Sequence, residues 1–478
     1  MESGAAVAQA RSSFRDPAGR TLRVAGRVFR AVTPEGWETL SAFLNTRFAR
    51  ECIARKDLVE SWTTGEDELA RLVRAECPQS VVLEHQPVFF PSFPNEWPAE
   101  MLRAAAFLTL DLAEGAAPEG FGLKDATPHN ILFDGAQPVF VDLLSFQRRS
   151  PSVATWRAYS QFVRTFLLPL AVDCRLGLPF GPLLLAHRDG LKPEQVYEWA
   201  SPWQRATPPL LTLATIPVWL GRRLNPDDQE LYREKELANP ERARFIYLHL
   251  LRRARRALAR LVPRKNAASP WLDYSARADH YTQDDLRAKE SFVREAIGDF
   301  RVSSVLDVGC NTGRFSAVAA RCGASVVAID ADAAVTGRTW ELARAAHLGI
   351  LPLVVDIARP TPAAGWRNRE CDSFLDRARG RFDLVLMLAL VHHLLVNERV
   401  PLPELVALAA DLTTDLFLVE YVDPSDPMFR RLARGRLYLH ENLSESVFEQ
   451  ALGQRFEFVR RRRLAGGRRS LSLWRKRT

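Results

Sequence analysis

The sequence predicts an α/β protein whose C-terminal half is a doubly wound parallel sheet, preceded by an α+β N-terminal domain and a helical connecting region. Three observations lead there. Beyond residue 270, short apolar runs ("SVLDVG", "SVVAID", "LPLVVD", "FDLVLMLAL", "DLFLVEY") alternate with stretches of helical period, the pattern of strands covered on both faces by helices. Residues 1–155 mix short strand-like runs with a helix, and residues 156–265 read as helices punctuated by prolines. With 478 residues, 47% of them hydrophobic, the chain exceeds one ordinary core. The expected domains are therefore 1–155, its helical continuation 156–265, and 270–478.

Each element has its local signal. The first twenty residues are small and polar and are expected to fray. "TLRVAGRVFRAV" at Thr21 to Val32 suggests two strands joined at Gly26. "PAEMLRAAAFLTLDLAEG" opens on Pro98 and closes on Gly115, as a helix does. "ILF" at Ile131 and "PVFVDLLSF" at Pro138 to Phe146 flank the turn "DGAQ". "LLTLATIPVWLG" at Leu210 to Gly221 is too short to span a bilayer and reads as one or two buried helices. From Phe245 to Lys265, Tyr247, Leu250, Leu251, Ala254, Leu258 and Leu261 form an apolar stripe opposite arginines. Such a helix covers a core or lies on a membrane surface. "PRKNAASP" at Pro263 to Pro270 is the expected linker, and "FEFVRRRRLAGGRRSLSLWRKR" a final hairpin turning at Gly466 and Gly467 with arginines alternating outward.

Composition narrows the classes. The six cysteines stand singly at 52, 77, 174, 310, 322 and 371, and no signal-peptide run opens the chain, so a reduced, cytoplasmic protein without a metal site is expected. The formal charge of +8 gathers in arginines at 252–264, 460–463 and 468–477. These blocks lack interleaved aromatics, which argues against RNA methylation as the alternative and leaves peripheral membrane contact open.

The richest stretch is "VLDVGCNTGRFS", Val305 to Ser316. A strand ends near Asp307, and Gly309 and Gly313 bracket a turn into a helix, letting a ligand approach the main chain. The next strand ends in Asp330, about twenty residues on, where a carboxylate can accept both hydroxyls of a ribose. The pattern is D-x-G-x-x-x-G rather than the dinucleotide G-x-G-x-x-G, so a nucleoside without a diphosphate is the expected ligand.

From about Ser269 to Arg477 these motifs, in this order, resemble class I S-adenosylmethionine-dependent methyltransferases, a Rossmann-like fold. The resemblance implies S-adenosylmethionine as cofactor. Asp307, Gly309, Cys310, Asn311 and Gly313 would lie against its methionine part, Asp330 would take the ribose, and Asp356 the adenine amino group with Ile357 beside the ring. The ends of the fourth and fifth strands should face the acceptor. That makes His392 and His393 candidate bases, with His392 slightly favoured, Glu420 their orienter or a substrate ligand, and Tyr421 a lining residue. Trp366, Arg430 and Arg431 are candidates for a cap.

In "LKDATPHNILFDG" and "PVFVD", the spacing of Asp125, Asn130 and Asp142 resembles kinase-like phosphotransferases of the aminoglycoside and choline kinase type. In that likeness Asp125 orients an acceptor hydroxyl while Asn130 and Asp142 hold Mg²⁺ against ATP. The usual His before the acid, its Phe-Gly and a glycine-rich loop are missing, and Lys56 with Glu60 or Glu66 is the only lysine–glutamate pair at hand. The expectation is a degenerate or repurposed kinase-like domain, with phosphotransfer as the alternative activity. "NEWPAEML", "LKDATP" and "HHLL" together resemble bacterial two-part methyltransferases, one of them nodulation-associated, which implies a small-molecule, saccharide or lipid-linked acceptor; methyl transfer to its hydroxyl or amine is expected, an O-methyltransferase foremost.

Overall fold

The computed structural model describes residues 11–12, 15–65, 67–222, 236–264, 281–440 and 442–477; the chain start, Glu66 and most of the expected linker lie outside them. The N-terminal sheet is antiparallel, with β1 (Arg11–Ser12), β2 (Gly19–Val24), β3 (Arg27–Val32), β4 (Ser61–Thr63) and β5 (Val81–His85) in the order β1-β2-β3-β5-β4. The predicted hairpin is β2–β3. Its two turn residues, Ala25 (φ 48°) and Gly26 (φ 78°), are both left-handed, as a tight two-residue hairpin requires.

The predicted helix runs Ala99–Ala116 and buries Met101, Leu102, Ala105 and Leu112. It precedes β6 (Phe121–Leu123), β7 (Ile131–Asp134), β8 (Gln137–Phe140) and β9 (Phe146–Arg148), paired as β6–β9 and β7–β8. The run "PVFVDLLSF" is thus two strands. It breaks because Asp142 turns aside to meet Arg30, and Leu143–Ser145 form a 3-10 turn. Lys56 is exposed in a loop at φ 62° and is not on a strand.

Residues 156–264 are mainly helical. In the Pro240–Ala259 helix Tyr247, Leu251, Ala254 and Leu258 are buried, as is Leu261 just beyond it, and the helix packs on Ala99–Ala116. The apolar stripe covers core, not membrane. Conversely, the segment expected to be buried at Leu210 to Gly221 hides Leu213 and Val218 but exposes Ile216, Trp219 and Leu220.

The C-terminal sheet has seven strands: β10 (Ser304–Val308), β11 (Ser325–Asp330), β12 (Ile350–Val354), β13 (Phe382–Met387), β14 (Thr413–Val422), β15 (Phe456–Arg463) and β16 (Arg469–Lys476). Their order is β12-β11-β10-β13-β14-β16-β15, parallel from β10 to β14 with β16 antiparallel beside β14. All five residues of β10 are buried, as its apolar sequence requires. Strand order reverses between β10 and β13, and a ligand crevice forms at such a switch point.

The arginines of β15 do not simply alternate outward into solvent: each meets an acid. Arg460 and Arg462 meet Asp299 (2.6 Å) and Glu295 (2.9 Å) of the Gln283–Phe300 helix, while Arg461 and Arg463 meet Glu449 and Glu445 (3.0 Å for Arg463) of the Glu445–Gly453 helix. The period of two sends neighbours to opposite faces, and each face is covered by a helix carrying acids. The two halves of the chain share one core. Phe89 and Phe90 pack on Phe382 and Phe374, Arg377 forms a buried ion pair with Glu96, and Trp340 Nε1 donates to Ala136 O at 3.2 Å.

Candidate active site

The turn after β10 is fixed by its own backbone. Gly309 N and Cys310 N donate to Ile329 O at 2.8 and 3.0 Å, tying the turn to β11, and Thr312 N donates to Asn311 Oδ1 at 2.7 Å. Gly309 (φ 77°), Asn311 (φ 50°) and Gly313 (φ 78°) are left-handed. A Cβ on Gly309 would stand 3.2 Å from Leu390, across the crevice. On Gly313 it would stand 2.6 Å from Thr339 Cγ2, and Gly313 does not line the crevice. That glycine lets the turn pack against Thr339 of the Ala333–Ala345 helix.

The crevice holds a cavity of about 340 Å³. Of the expected residues, Asp307, Gly309, Cys310, Asn311, Asp330, Asp356 and Ile357 line it, joined by Leu388, Leu390 and Leu394. Asp330 accepts from Asn311 N and Asp332 N, both at 3.0 Å, one bond to each oxygen. Each oxygen keeps a lone pair for a further donor, which suits a ribose diol. Asp356 accepts from Ala358 N at 3.0 Å and pairs with Arg359 at 2.8 Å. Asp307 accepts from Ser316 Oγ at 2.5 Å, and burial pushes its carboxyl up to about 6. Three carboxylates, a backbone turn and an aliphatic wall fit a nucleoside carrying a positive sulfur.

The acceptor end differs from expectation. His393 lines the cavity, and burial holds its imidazole down at about 4, hence neutral near pH 7. His392 does not line it. It stacks near Phe429 (6.4 Å), is held well below its ordinary range by burial, and its Nδ1 has no hydrogen-bond partner among the described residues. The preference for His392 is therefore reversed. Glu420 orients no histidine: it is buried, accepts from Lys289 Nζ at 2.6 Å and from Tyr281 Oη at 2.8 Å, and lies 3.9 Å from Arg469. Tyr421, one residue on, faces the other side of β14, donates to Leu443 O at 2.9 Å and packs on Phe448. Trp366 is exposed and, like Arg430 and Arg431, outside the lining.

Lys289 and Tyr281, unassigned in the sequence reading, line the cavity, with Lys289 Nζ 3.7 Å from the Tyr281 ring centre. A signal for Lys289 was present. It lies between Leu286, Phe292, Val293 and Ala296 at helical spacing, a lysine on an apolar face. Thr312, Arg314, Phe315, Asn397 and Glu398 add further polar and aromatic lining.

Asp125, Asn130 and Asp142 lie outside this cavity. Asn130 Nδ2 donates to Ser145 Oγ at 3.0 Å, and Ser145 Oγ donates to Asp142 Oδ2 at 2.6 Å. The other Asp142 oxygen is held by Arg30 at 2.7 Å. Burial works to raise that carboxyl, but Arg30 and Ser145 overcome it and hold it below the carboxylate range. Burial raises the Asp125 carboxyl.

Residues 246–462 match the family model described as a methyltransferase domain. Across nearly the whole chain the protein is similar to "Nodulation protein NoeA" of Rhizobium meliloti (strain 1021), 27% identical over 461 residues, covering 96% of this chain and 94% of the relative. Among solved structures it is similar to N-methyltransferase NodS from Bradyrhizobium japonicum WM9, 16% identical, covering 41% of this chain and 98% of that one at a TM-score of 0.30. Magnesium protoporphyrin IX methyltransferase (ChlM) from Synechocystis PCC 6803 with bound SAM is 18% identical, covering 45% and 95% at a TM-score of 0.30. At such scores neither structural likeness carries an argument. The strand order and the acid-lined crevice agree with the matched model of a methyltransferase domain over residues 246–462, and S-adenosylmethionine is the cofactor that fits the crevice.

Proposed function

We infer that the protein is an S-adenosylmethionine-dependent O-methyltransferase acting on a hydroxyl of a saccharide or saccharide-bearing lipid in the cytoplasm. One observation carries the reading: the strand-end acids and the glycine turn open into the same cavity as His393, Lys289 and Tyr281. S-adenosylmethionine supplies a methyl group activated on a sulfonium. The protein must hold the acceptor oxygen in line with it and remove its proton. His393, neutral in this setting, accepts that proton. Lys289, whose ammonium has one carboxylate partner and three protons, stabilises the oxygen as it loses hydrogen, and would oppose the positive charge that an amine acceptor develops. Asn397, Glu398 and Tyr281 offer donors and acceptors suited to a polyhydroxylated acceptor. The relative's name, a nodulation protein, accords with such an acceptor but does not specify it. Incubation with methyl-labelled S-adenosylmethionine and a panel of oligosaccharides and glycolipids should place label in a methyl ether. Label in amines or RNA alone would contradict the reading.

For residues 1–155 with their helical continuation 156–265, we propose a kinase-like scaffold that does not transfer phosphate. Asn130 and Asp142 flank the β7–β8 hairpin, and Arg30 occupies the acid that the kinase likeness would give to a metal ion. Titration with Mg·ATP should give no heat. Mg²⁺-dependent ATP turnover lost in Asp142→Ala would establish the phosphotransferase instead.

A further inference from the structure

The two arginine clusters of the chain have opposite fates. Arg460 to Arg463 of the terminal hairpin are paired with acids, as described above. Arg252, Arg253, Arg256 and Arg260 of the Pro240–Ala259 helix, with Arg175 and Arg264 beside its end, are exposed, and none pairs with a carboxylate among the described residues. Within the run only Arg255 is paired, with Asp111 and Glu114.

This basic end continues into an apolar one. Arg175 Nη2 donates to Arg260 O at 3.1 Å, Arg264 Nη2 donates to Arg175 O at 3.3 Å, and Gln204 Nε2 donates to the same oxygen at 3.1 Å. Gln204 lies in the Pro202–Ala206 helix, where Trp203 is 83% exposed. Arg205 donates to Tyr197 O at 2.7 Å and lies 4.1 Å from the Tyr197 ring, with Arg222 5.9 Å from the same ring. Trp219, three residues before Arg222, is 53% exposed, beside Leu220 at 55%. One surface therefore carries exposed indoles flanked by unneutralised guanidinium groups.

Exposed apolar rings gathered on one surface and rimmed by charge mark an interaction site, where rings scattered singly would not. The combination fits one kind of occupant. Tryptophan favours the headgroup level of a bilayer, and arginine bonds lipid phosphates while laying its stem along apolar surface. An RNA groove would call for rings interleaved with the arginines rather than set beside them. We propose that this face docks the protein on an anionic lipid bilayer, with Trp203 and Trp219 entering the headgroup layer and Arg175, Arg252, Arg256 and Arg260 meeting phosphates. The proposal goes beyond the methyl-transfer reading and does not depend on it.

The test uses the full chain and two vesicle preparations, phosphatidylcholine alone and phosphatidylcholine mixed with phosphatidylglycerol. Sedimentation should show binding to the anionic vesicles at least about tenfold tighter than to the neutral ones, weakening as salt rises. Arg252→Gln/Arg256→Gln/Arg260→Gln should lower that binding by about tenfold or more, and Trp203→Ser/Trp219→Ser should weaken it further still. S-adenosylmethionine titration of each variant, expected to be unchanged, certifies that it is folded and separates this result from the fate of the methyltransferase reading. No binding to either vesicle, equal binding to both, or binding indifferent to both sets of substitutions overturns the proposal. Binding to a single-stranded RNA but to neither vesicle would overturn it in favour of nucleic acid.

Discussion

At the scale of single residues, the adjacent histidines separate cleanly. His393→Gln should slow methyl transfer by about 10²-fold while leaving cofactor affinity in place, as loss of a proton acceptor does. His392→Phe should retain activity, because that ring packs near Phe429 and its unpartnered Nδ1 would be replaced by carbon. Assaying both variants with an identified acceptor checks the assignment. Asp307 supplies a pH prediction. Its carboxyl, raised to about 6 by burial, gains a proton as pH falls through 6 and loses the charge that favours a cation in the same cavity. Affinity for S-adenosylmethionine should therefore fall below pH 6. S-adenosylhomocysteine, whose sulfur is uncharged, should be affected less, and titrations at pH 7 and 5 compare the two. The cofactor acids were legible because strand ends can be read from apolar runs. Which of two neighbours faces the cavity was not: His392 against His393, and Glu420 against Tyr421, turn on which face of a helix or strand is covered, and that depends on packing partners distant in sequence.

At the scale of elements, the Gln283–Phe300 helix is tied to β14 by Lys289 and Glu420, whose side chains are 2% and 0% exposed. Burial alone lowers the lysine from its ordinary range, and Glu420 opposes that. Removing one partner strands a charge, so Lys289→Met should cost about 3–5 kcal/mol in denaturant unfolding. Lys289→Met/Glu420→Leu should cost clearly less than the two single changes summed, and simple additivity would show that the pair is not coupled. The sequence reading named no helix at Gln283–Phe300. The buried lysine on its apolar face was the one mark that it belonged to the site. The hairpin arginines mislead for a related reason: alternation predicts two faces, and an outward face was assumed where a second helix supplies acids. The "PVFVDLLSF" run likewise hid a break that only the Arg30–Asp142 pair explains.

At the scale of the whole molecule, the two halves are not independent beads. Arg377 reaches Glu96 and donates to Pro91 O at 2.6 Å, and phenylalanines from both halves meet around it. A single calorimetric transition is expected for the full chain, and Arg377→Met, which leaves Glu96 buried without its partner, should lower its midpoint by several degrees or split it. Two well-separated transitions in the unaltered protein would contradict that coupling. Composition suggested two bodies and said nothing of their joint core, because contacts between Phe90 and Phe374 leave no trace in local pattern. The central claim, that the crevice at the strand-order switch binds S-adenosylmethionine through Asp330, is tested most directly by isothermal titration of the unaltered protein and Asp330→Ala with that cofactor. Saturable binding weakened about a hundredfold or more in the variant, with its circular dichroism unchanged, is the predicted result, since charge-assisted bonds to a ribose contribute about 1.5–3 kcal/mol each. Absence of binding in the unaltered protein, or equal binding in both, would contradict it.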